Sequence, residues 1–401
     1  MSTPLVLYDD AAARRLAPFA LTRPAGELRA GAELIGRRWE RVLGTAATGF
    51  ASAPHLRGFG ETGTPDAADG TLAAGTWLVN ARCAPALDAA AGAADAAAGD
   101  VLRCAGRVAA VRLRAPLAAD HLADGALDLD TLATNAGAVI EGWWIDDAWD
   151  LIKHLGAMLA ADIPILGRGA DAPPAQVAVL GEHPMYVEPG AYIEPHVVAD
   201  TTAGPILVRA GARIGAFTRL AGPLVIGHDT IVGGGRVSGC SIGEGCRVHG
   251  ELSRTIFVGQ ANKAHDGFVG DSVIGRWANL GAGTITSNLK NSYGDVALWT
   301  PAGVRPSGMQ FLGAFIGDHA KLGIGTRVTT GCVIGAGANV FGALITPKVV
   351  PPFAWGAAEP FGEWELEKFL AVAERVMARR ATPLTAGMRD VLRAAWARRA
   401  G

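Results

Sequence analysis

Aliphatic residues recur every sixth position in two stretches of the chain. Val208, Ile214, Leu220, Ile226 and Val232 form one series; Ile316, Leu322, Val328, Ile334 and Val340 form the other. Glycine follows many of them, as at Gly215, Gly227, Gly233, Gly317, Gly323 and Gly335. Between the two series the theme continues with slips in phase, at Ile242-Gly, Val258-Gly, Val269-Gly, Ile274-Gly and Leu280-Gly. A period of six matches neither a helix face nor one long strand. It predicts a coil of short strands, each repeat giving one inward aliphatic and one turn: a left-handed parallel β-helix over residues 176–350. Residues 286–311 break the period, and such an interruption is expected to loop out, often over a binding face.

The rest of the chain has other patterns. Residues 1–170 mix short strand-like runs, at 5–8, 76–79 and 109–113, with alanine-rich helical stretches. A Gly/Pro/Ala linker lies at 167–174. In residues 351–401, Pro351-Pro352 stops the last strand. Leu366, Phe369, Leu370 and Met377 then fall at helical spacing, and a second helix is expected over 388–399. These helices are expected to cap the open end of the solenoid, with Trp355, Trp364 and Trp396 packing rather than binding ligand.

Composition narrows the partners. Lys plus Arg number 36 and Asp plus Glu 38, a net charge of −2 over 401 residues. That balance gives no global field for nucleic acid or anionic membranes, so anionic ligands would need local clusters of Arg and Lys. The five cysteines form no C-x-x-C pair, which signals neither zinc nor a disulfide framework. The amino terminus lacks a basic start and a long apolar core, and the uncharged stretch 333–347 is broken by Gly335, Gly337 and Gly342. A soluble cytoplasmic protein is expected.

The densest polar cluster is Asn262-Lys263-Ala264-His265-Asp266-Gly267-Phe268-Val269-Gly270-Asp271, followed by the run from Asn279 to Asn291. Within it, His265, Gly270-Asp271, Asn279, Gly281-Ala282-Gly283-Thr284-Ile285-Thr286 and Asn288 resemble the acetyltransferase half of the bacterial bifunctional enzymes that make UDP-N-acetylglucosamine. The Lys-Ala-His-Asp-Gly-Phe-Val-Gly-Asp wording resembles still more closely a divergent branch described as sugar nucleotidyltransferases with a hexapeptide-repeat β-helix. The resemblance implies that His265 is the general base, taking a proton from a sugar amine as it attacks the acetyl-CoA thioester. It implies an oxyanion-binding backbone near Ala282, amino-sugar contacts at Asn279 and Asn288, and a sugar phosphate at Arg254 with Lys263 nearby. Phe268 stands where that family has Tyr, and beyond residue 295 the chain no longer follows the family's coenzyme-binding coils.

The amino-terminal half resembles sugar nucleotidyltransferases, with their Rossmann-like α/β domain, here shortened. The opening, from Leu7 through Arg15 and Arg23-Pro24, matches the strand and phosphate-binding loop. Ala11 and Ala13 stand at the loop's glycine positions, with Asp9 and Asp10 just before. Trp77-Leu-Val-Asn80-Ala81-Arg82 matches the strand that ends in a metal-binding Asp, so Arg82 replaces that Asp. Trp143-Trp144-Ile-Asp146 and Trp149-Asp150-Leu151 match the closing segment, which makes Asp146 the second metal carboxylate and leaves Mg²⁺ possible there. Arg15, Arg23, Arg29 and Arg82 are the implied phosphate-binding set.

The resemblance implies a sugar-phosphate transferase. It would act as a sugar-1-phosphate nucleotidyltransferase, as a hexosamine-1-phosphate N-acetyltransferase, or as both. The substrates would be a sugar-1-phosphate, a nucleoside triphosphate and acetyl-CoA, and the assembly a homotrimer. Two alternatives stay open: nucleotidyl transfer alone with the solenoid as a trimerisation scaffold, or a non-catalytic sugar-nucleotide binding protein. A metal-dependent hydratase would need three convergent histidines, for which His249, His265 and His319 are candidates by count.

Overall fold

The computed structural model describes residues 3–89, 99–342 and 345–399. The chain divides into two compact units. One comprises Met1–Leu16, Ala20–Asp150 and Thr385–Ala395, the other Ala17–Phe19, Leu151–Leu384 and Trp396–Gly401.

The first unit is built on a mixed sheet. Leu5–Tyr8 pairs in parallel with Gly49–Ala51 on one side and Trp77–Asn80 on the other. Arg107–Arg112 and Val101–Cys104 extend the sheet in antiparallel fashion, and Ala138–Val139 closes it. The central strand Leu-Val-Leu-Tyr is buried on both faces, which is why it carries no alternation. Of the alanine-rich stretches, residues 90–98 lie outside the described residues. The helix Ile35–Leu43 packs Trp39 fully inside, and its Arg38 is buried too. The Arg38 guanidinium donates to the carbonyls of Ala30 and Pro85, which satisfies the buried charge. Gly44, at φ 63°, ends the helix by returning its N–H to Arg41 and Glu40.

The second unit is the expected parallel β-solenoid. One face stacks Met185–Val187, Ile206–Val208, Leu224–Ile226, Ser241–Ile242, Ile256–Phe257, Val273–Ile274, Phe315–Ile316, Val333–Ile334 and Val349–Val350, every pair parallel and in register. All ten aliphatics of the two six-residue series are buried in one continuous core. The glycine that follows an inward aliphatic is needed because the coils touch there. A Cβ on Gly227 would sit 2.6 Å from the Gly243 carbonyl carbon of the next coil. Thr286 still pairs with Val328, but most of residues 286–311 leave the solenoid. They form an antiparallel hairpin, Val296–Thr300 against Gly303–Met309. The ladder closes behind it, since Val273–Ile274 pairs directly with Phe315–Ile316.

The helix Leu366–Ala378 lays Phe369 into an aromatic cluster of the same unit. The Phe369 ring lies 5.0 Å from Phe353 and 5.4 Å from Trp364. The indole N–H of Trp396 donates to the Trp364 carbonyl at 2.8 Å, and Trp355 packs on Trp364 at 5.2 Å.

Ile274 lies between Phe257 and Ile316 of adjacent coils and is fully buried. Ile274→Ala is expected to cost ~2–5 kcal/mol, read as a lower midpoint in denaturant melts with the far-ultraviolet spectrum of the folded state retained.

Candidate functional site

In the first unit, functional groups converge where the central strand ends. Asp9 turns inward and is buried, accepting from the Ala25 N–H at 3.1 Å and from the Ser52 hydroxyl. Burial outweighs these bonds and pushes its carboxyl up to about 6. Asp10 turns the other way. Its Oδ1 accepts from the N–H groups of Ala12 at 3.1 Å and Ala13 at 2.9 Å. Its Oδ2 accepts from Asn80 at 2.9 Å. Burial works against the Asp10 carboxylate, but the Arg82 guanidinium and these donors hold it below its usual range.

Arg82 is clamped between two carboxylates. It donates to Asp10 from Nε at 2.8 Å and Nη2 at 2.6 Å, and to Asp146 from Nη1. Arg107 reaches the same Asp146 carboxylate at 2.9 Å, and its guanidinium lies 3.7 Å from the Trp144 ring centre. Asp10, Arg15, Asn80, Arg82, Arg107 and Trp144 line a cleft of about 440 Å³.

This arrangement differs from the phosphate loop and metal pair that the resemblance implies. The loop N–H groups already have partners: Ala11 donates to the Gly125 carbonyl at 2.8 Å, while Ala12 and Ala13 donate to Asp10. An internal carboxylate thus takes the donors a phosphate would use. Asp146 is held by two guanidiniums, and among the described residues no group of three His, Cys, Asp or Glu side chains is placed to hold a metal ion. These residues do not fit Mg²⁺, because Arg82 supplies the positive charge between Asp10 and Asp146.

The four arginines of the implied phosphate set separate. Arg15 is exposed and lines the cleft with Arg82. Arg23 is buried against Glu61 and the Glu27 carbonyl. Arg29 is buried on the Ala32 carbonyl at 2.7 Å. Arg107 was not legible as a site residue, since nothing in its local sequence sets it apart. Asp10 was visible as one of an acidic pair, but its capping role was not.

In the solenoid, Arg254 and Asn288 meet on one carboxylate. Asp271, itself buried, accepts from Arg254 Nε at 2.6 Å and from Asn288 Nδ2 at 2.6 Å. Arg254 also lines a cleft of about 370 Å³ with Lys153, Met309, Gln310, Phe311 and the first turn of the helix Leu155–Leu166. Lys263 is buried beneath the neighbouring turn, where it donates to the carbonyls of His249 and His265. Burial pushes its ammonium down to about 8. The His265 imidazole is exposed, and among the described residues it has no hydrogen-bond partner. His249 instead pairs with Asp266 at 3.0 Å. Ala282 sits in a turn whose carbonyl accepts from Gly325 at 2.8 Å. Asn279 lies in a different cleft, with its side chain accepting from Asn262 at 2.8 Å.

Residues 5–171 match the family model described as sugar nucleotidyl transferase. A bifunctional sugar-1-phosphate nucleotidylyltransferase/acetyltransferase of Sulfurisphaera tokodaii is 35% identical over 100 residues, 25% of this chain and 25% of that protein. An uncharacterized acetyltransferase of Escherichia coli K12, YaiX, is 28% identical over 168 residues, 41% of this chain and 73% of that protein. The bifunctional protein GlmU of Bartonella quintana is 31% identical over 183 residues, 43% of this chain and 35% of that protein. The chain thus spans about a quarter of the Sulfurisphaera relative and about a third of the Bartonella one. The chain is similar to sugar nucleotidyltransferases and to bifunctional nucleotidylyltransferase/acetyltransferases, as its motifs suggested. No helix among the described residues is long and apolar enough to cross a membrane.

The Asp9 carboxyl gives a test by pH. Its folded-state value, raised from 3.8 to about 6, means that the folded protein binds the extra proton between those limits. Stability contributed by the protonated form is therefore lost as pH rises through about 4 to 6, and the displacement corresponds to ~3 kcal/mol. Asp9→Asn, which removes the charge, is expected to melt higher than the parent at pH 7.5 and to lose that advantage at pH 4. A parallel pair of melting curves at both values would refute the assignment.

Proposed function

We propose that the protein is a sugar-phosphate transferase whose acyl-transfer chemistry lies in the solenoid, on a hexosamine-1-phosphate and an acyl-CoA thioester such as acetyl-CoA. The observation that carries this reading is the exposed imidazole of His265, without a hydrogen-bond partner among the described residues, on a turn fixed from beneath by buried Lys263. The same coil leads into the Arg254–Asp271–Asn288 cluster. Arg254 and Lys153 offer positive charge to the sugar phosphate in their shared cleft. The sugar amine attacks the thioester carbonyl and forms the new amide bond. His265 accepts the amine proton, and the C–S bond breaks to release the coenzyme thiolate, which is then protonated. Backbone donors near Ala282 would stabilise the oxyanion. Asp271 holds Arg254 and Asn288 in place and takes no proton in this scheme. A homotrimer, as the resemblance implies, would set a neighbouring solenoid beside the open His265 turn, and the cytoplasm would supply both substrates.

Nucleotidyl transfer from a nucleoside triphosphate to a sugar-1-phosphate is the second reading. It is favoured by the family match over residues 5–171 and by Arg15, Arg82 and Arg107 around one cleft. Arg15 lines that cleft with no ion pair among the described residues, so it is the candidate for contact with the triphosphate. Pyrophosphate release would have to proceed without the usual carboxylate-held Mg²⁺.

His265→Ala is expected to lower coenzyme release with glucosamine-1-phosphate by ~100-fold or more while leaving the melting temperature unchanged, because the imidazole makes no bond. Unchanged thiol release would overturn the acyl-transfer reading. For the second reading, Arg15→Ala should abolish pyrophosphate release from UTP and a sugar-1-phosphate. Its absence in the parent protein would leave the first unit as a binding domain.

A further inference from the structure

The helix Leu366–Ala378 and the residues after it cover one face of the solenoid and leave a cleft of about 310 Å³ between them. Its charged lining is entirely positive: Lys321 from the solenoid, Arg379 and Arg380 from the end of the helix, and no carboxylate. The side-chain amides of Gln260, Asn262 and Asn279 line it as well. Asn262, Asn279 and Lys321 occupy the same register position in successive coils, so their side chains form a row along the wall.

The cations here are held together without compensation. Arg380 donates to the Gly245 carbonyl at 2.8 Å, and Arg247 donates to the same oxygen at 3.3 Å. Two guanidiniums thus share one neutral acceptor. Among the described residues, none of Arg247, Lys321, Arg379 and Arg380 has a carboxylate in ion-pair range. Burial first, then the neighbouring Arg247 and Arg379 charges, lower the Arg380 guanidinium. Burial pushes the Lys321 ammonium down to about 7, and its hydrogen bond is to the Trp277 carbonyl. The indole N–H of Trp277, a buried residue of the lining, has no partner among the described residues. Gathering like charges in a half-buried cleft, next to an unsatisfied donor, costs free energy that a bound anion would offset.

We infer that this cleft is a second anion site that takes a phosphate monoester or diphosphate, held by Lys321, Arg379 and Arg380 and oriented by the amide row of Asn262 and Asn279. It is separate from the Arg254 cleft assigned above to the sugar phosphate, with which it shares no lining residue. It takes over Asn279, which the sequence resemblance had grouped with the amino-sugar contacts. The site does not depend on acyl transfer being the correct reading.

The test uses the full chain and pyrophosphate as probe, with chloride at equal ionic strength as control. Pyrophosphate should raise the melting temperature where chloride does not. In an Arg254→Ala background, which removes the other phosphate cleft, calorimetric affinity should fall about tenfold or more in Arg379→Glu and in Lys321→Met. Arg379 is exposed, and Lys321→Met removes a desolvated charge, so both variants should fold as the parent does. Glucosamine-1-phosphate, UTP and coenzyme A are then competed against the probe in Arg254→Ala, and the one that displaces it identifies the source of the phosphate. Equal response to chloride, undiminished affinity in Arg379→Glu and Lys321→Met within that background, or failure of every organic phosphate to compete would overturn the site. Loss of binding in Arg254→Ala alone would also do so, by moving the anion to the other cleft.

Discussion

Coil-on-coil hydrogen bonding is the constraint from which the second unit follows. Each short strand pairs in parallel with the strand one coil later, and no pair slips along the stacked face from Met185–Val187 to Val349–Val350. Because side chains alternate along a strand, fixed register keeps the same positions inward in every coil. The six-residue aliphatics fill the interior, and residues at equivalent outer positions stack into rows. The same stacking brings Arg254 and Asn288, which lie in different coils, onto the Asp271 carboxylate, so side chains far apart in sequence become neighbours.

The solenoid was therefore open to a reading from sequence alone. Its periodicity is a direct image of its geometry, and the break at 286–311 marked the outward hairpin. The N-terminal mixed sheet was less visible, since Arg107–Arg112 and Val101–Cys104 join it antiparallel through long-range pairing that no local pattern announces. The site was legible in part. His265, Arg254 and Asn288 stood out by motif, and the structure links two of them through Asp271. Burial was what the motif could not convey. Arg23 and Arg29 match a phosphate-binding pattern, yet they face Glu61 and the Ala32 carbonyl inside the first unit.

In the first unit, Arg82, which stands where the resemblance implies a metal-binding Asp, has a physical counterpart in Asp10. The guanidinium and the carboxylate neutralise each other, and Asp10 also caps the loop amides. Each substitution would be costly alone. Arg82 without Asp10 would be a buried cation left with Asp146, and Asp10 without Arg82 would be a half-buried anion among fewer donors. Together they fix the shape of the loop from within the chain.

The hairpin Val296–Thr300 and Gly303–Met309 hangs from a ladder that is already closed beneath it. Since Val273–Ile274 meets Phe315–Ile316 directly, the excursion carries none of the solenoid's hydrogen bonding. Loop-closure entropy grows only slowly with length, so this segment can be lengthened, shortened or exchanged at little cost to the scaffold. Met309 at its base, with Gln310 and Phe311 just beyond, forms one wall of the cleft that holds Arg254. The shape of that cleft can thus change while the stacked frame stays the same, because the wall and the frame answer to separate constraints.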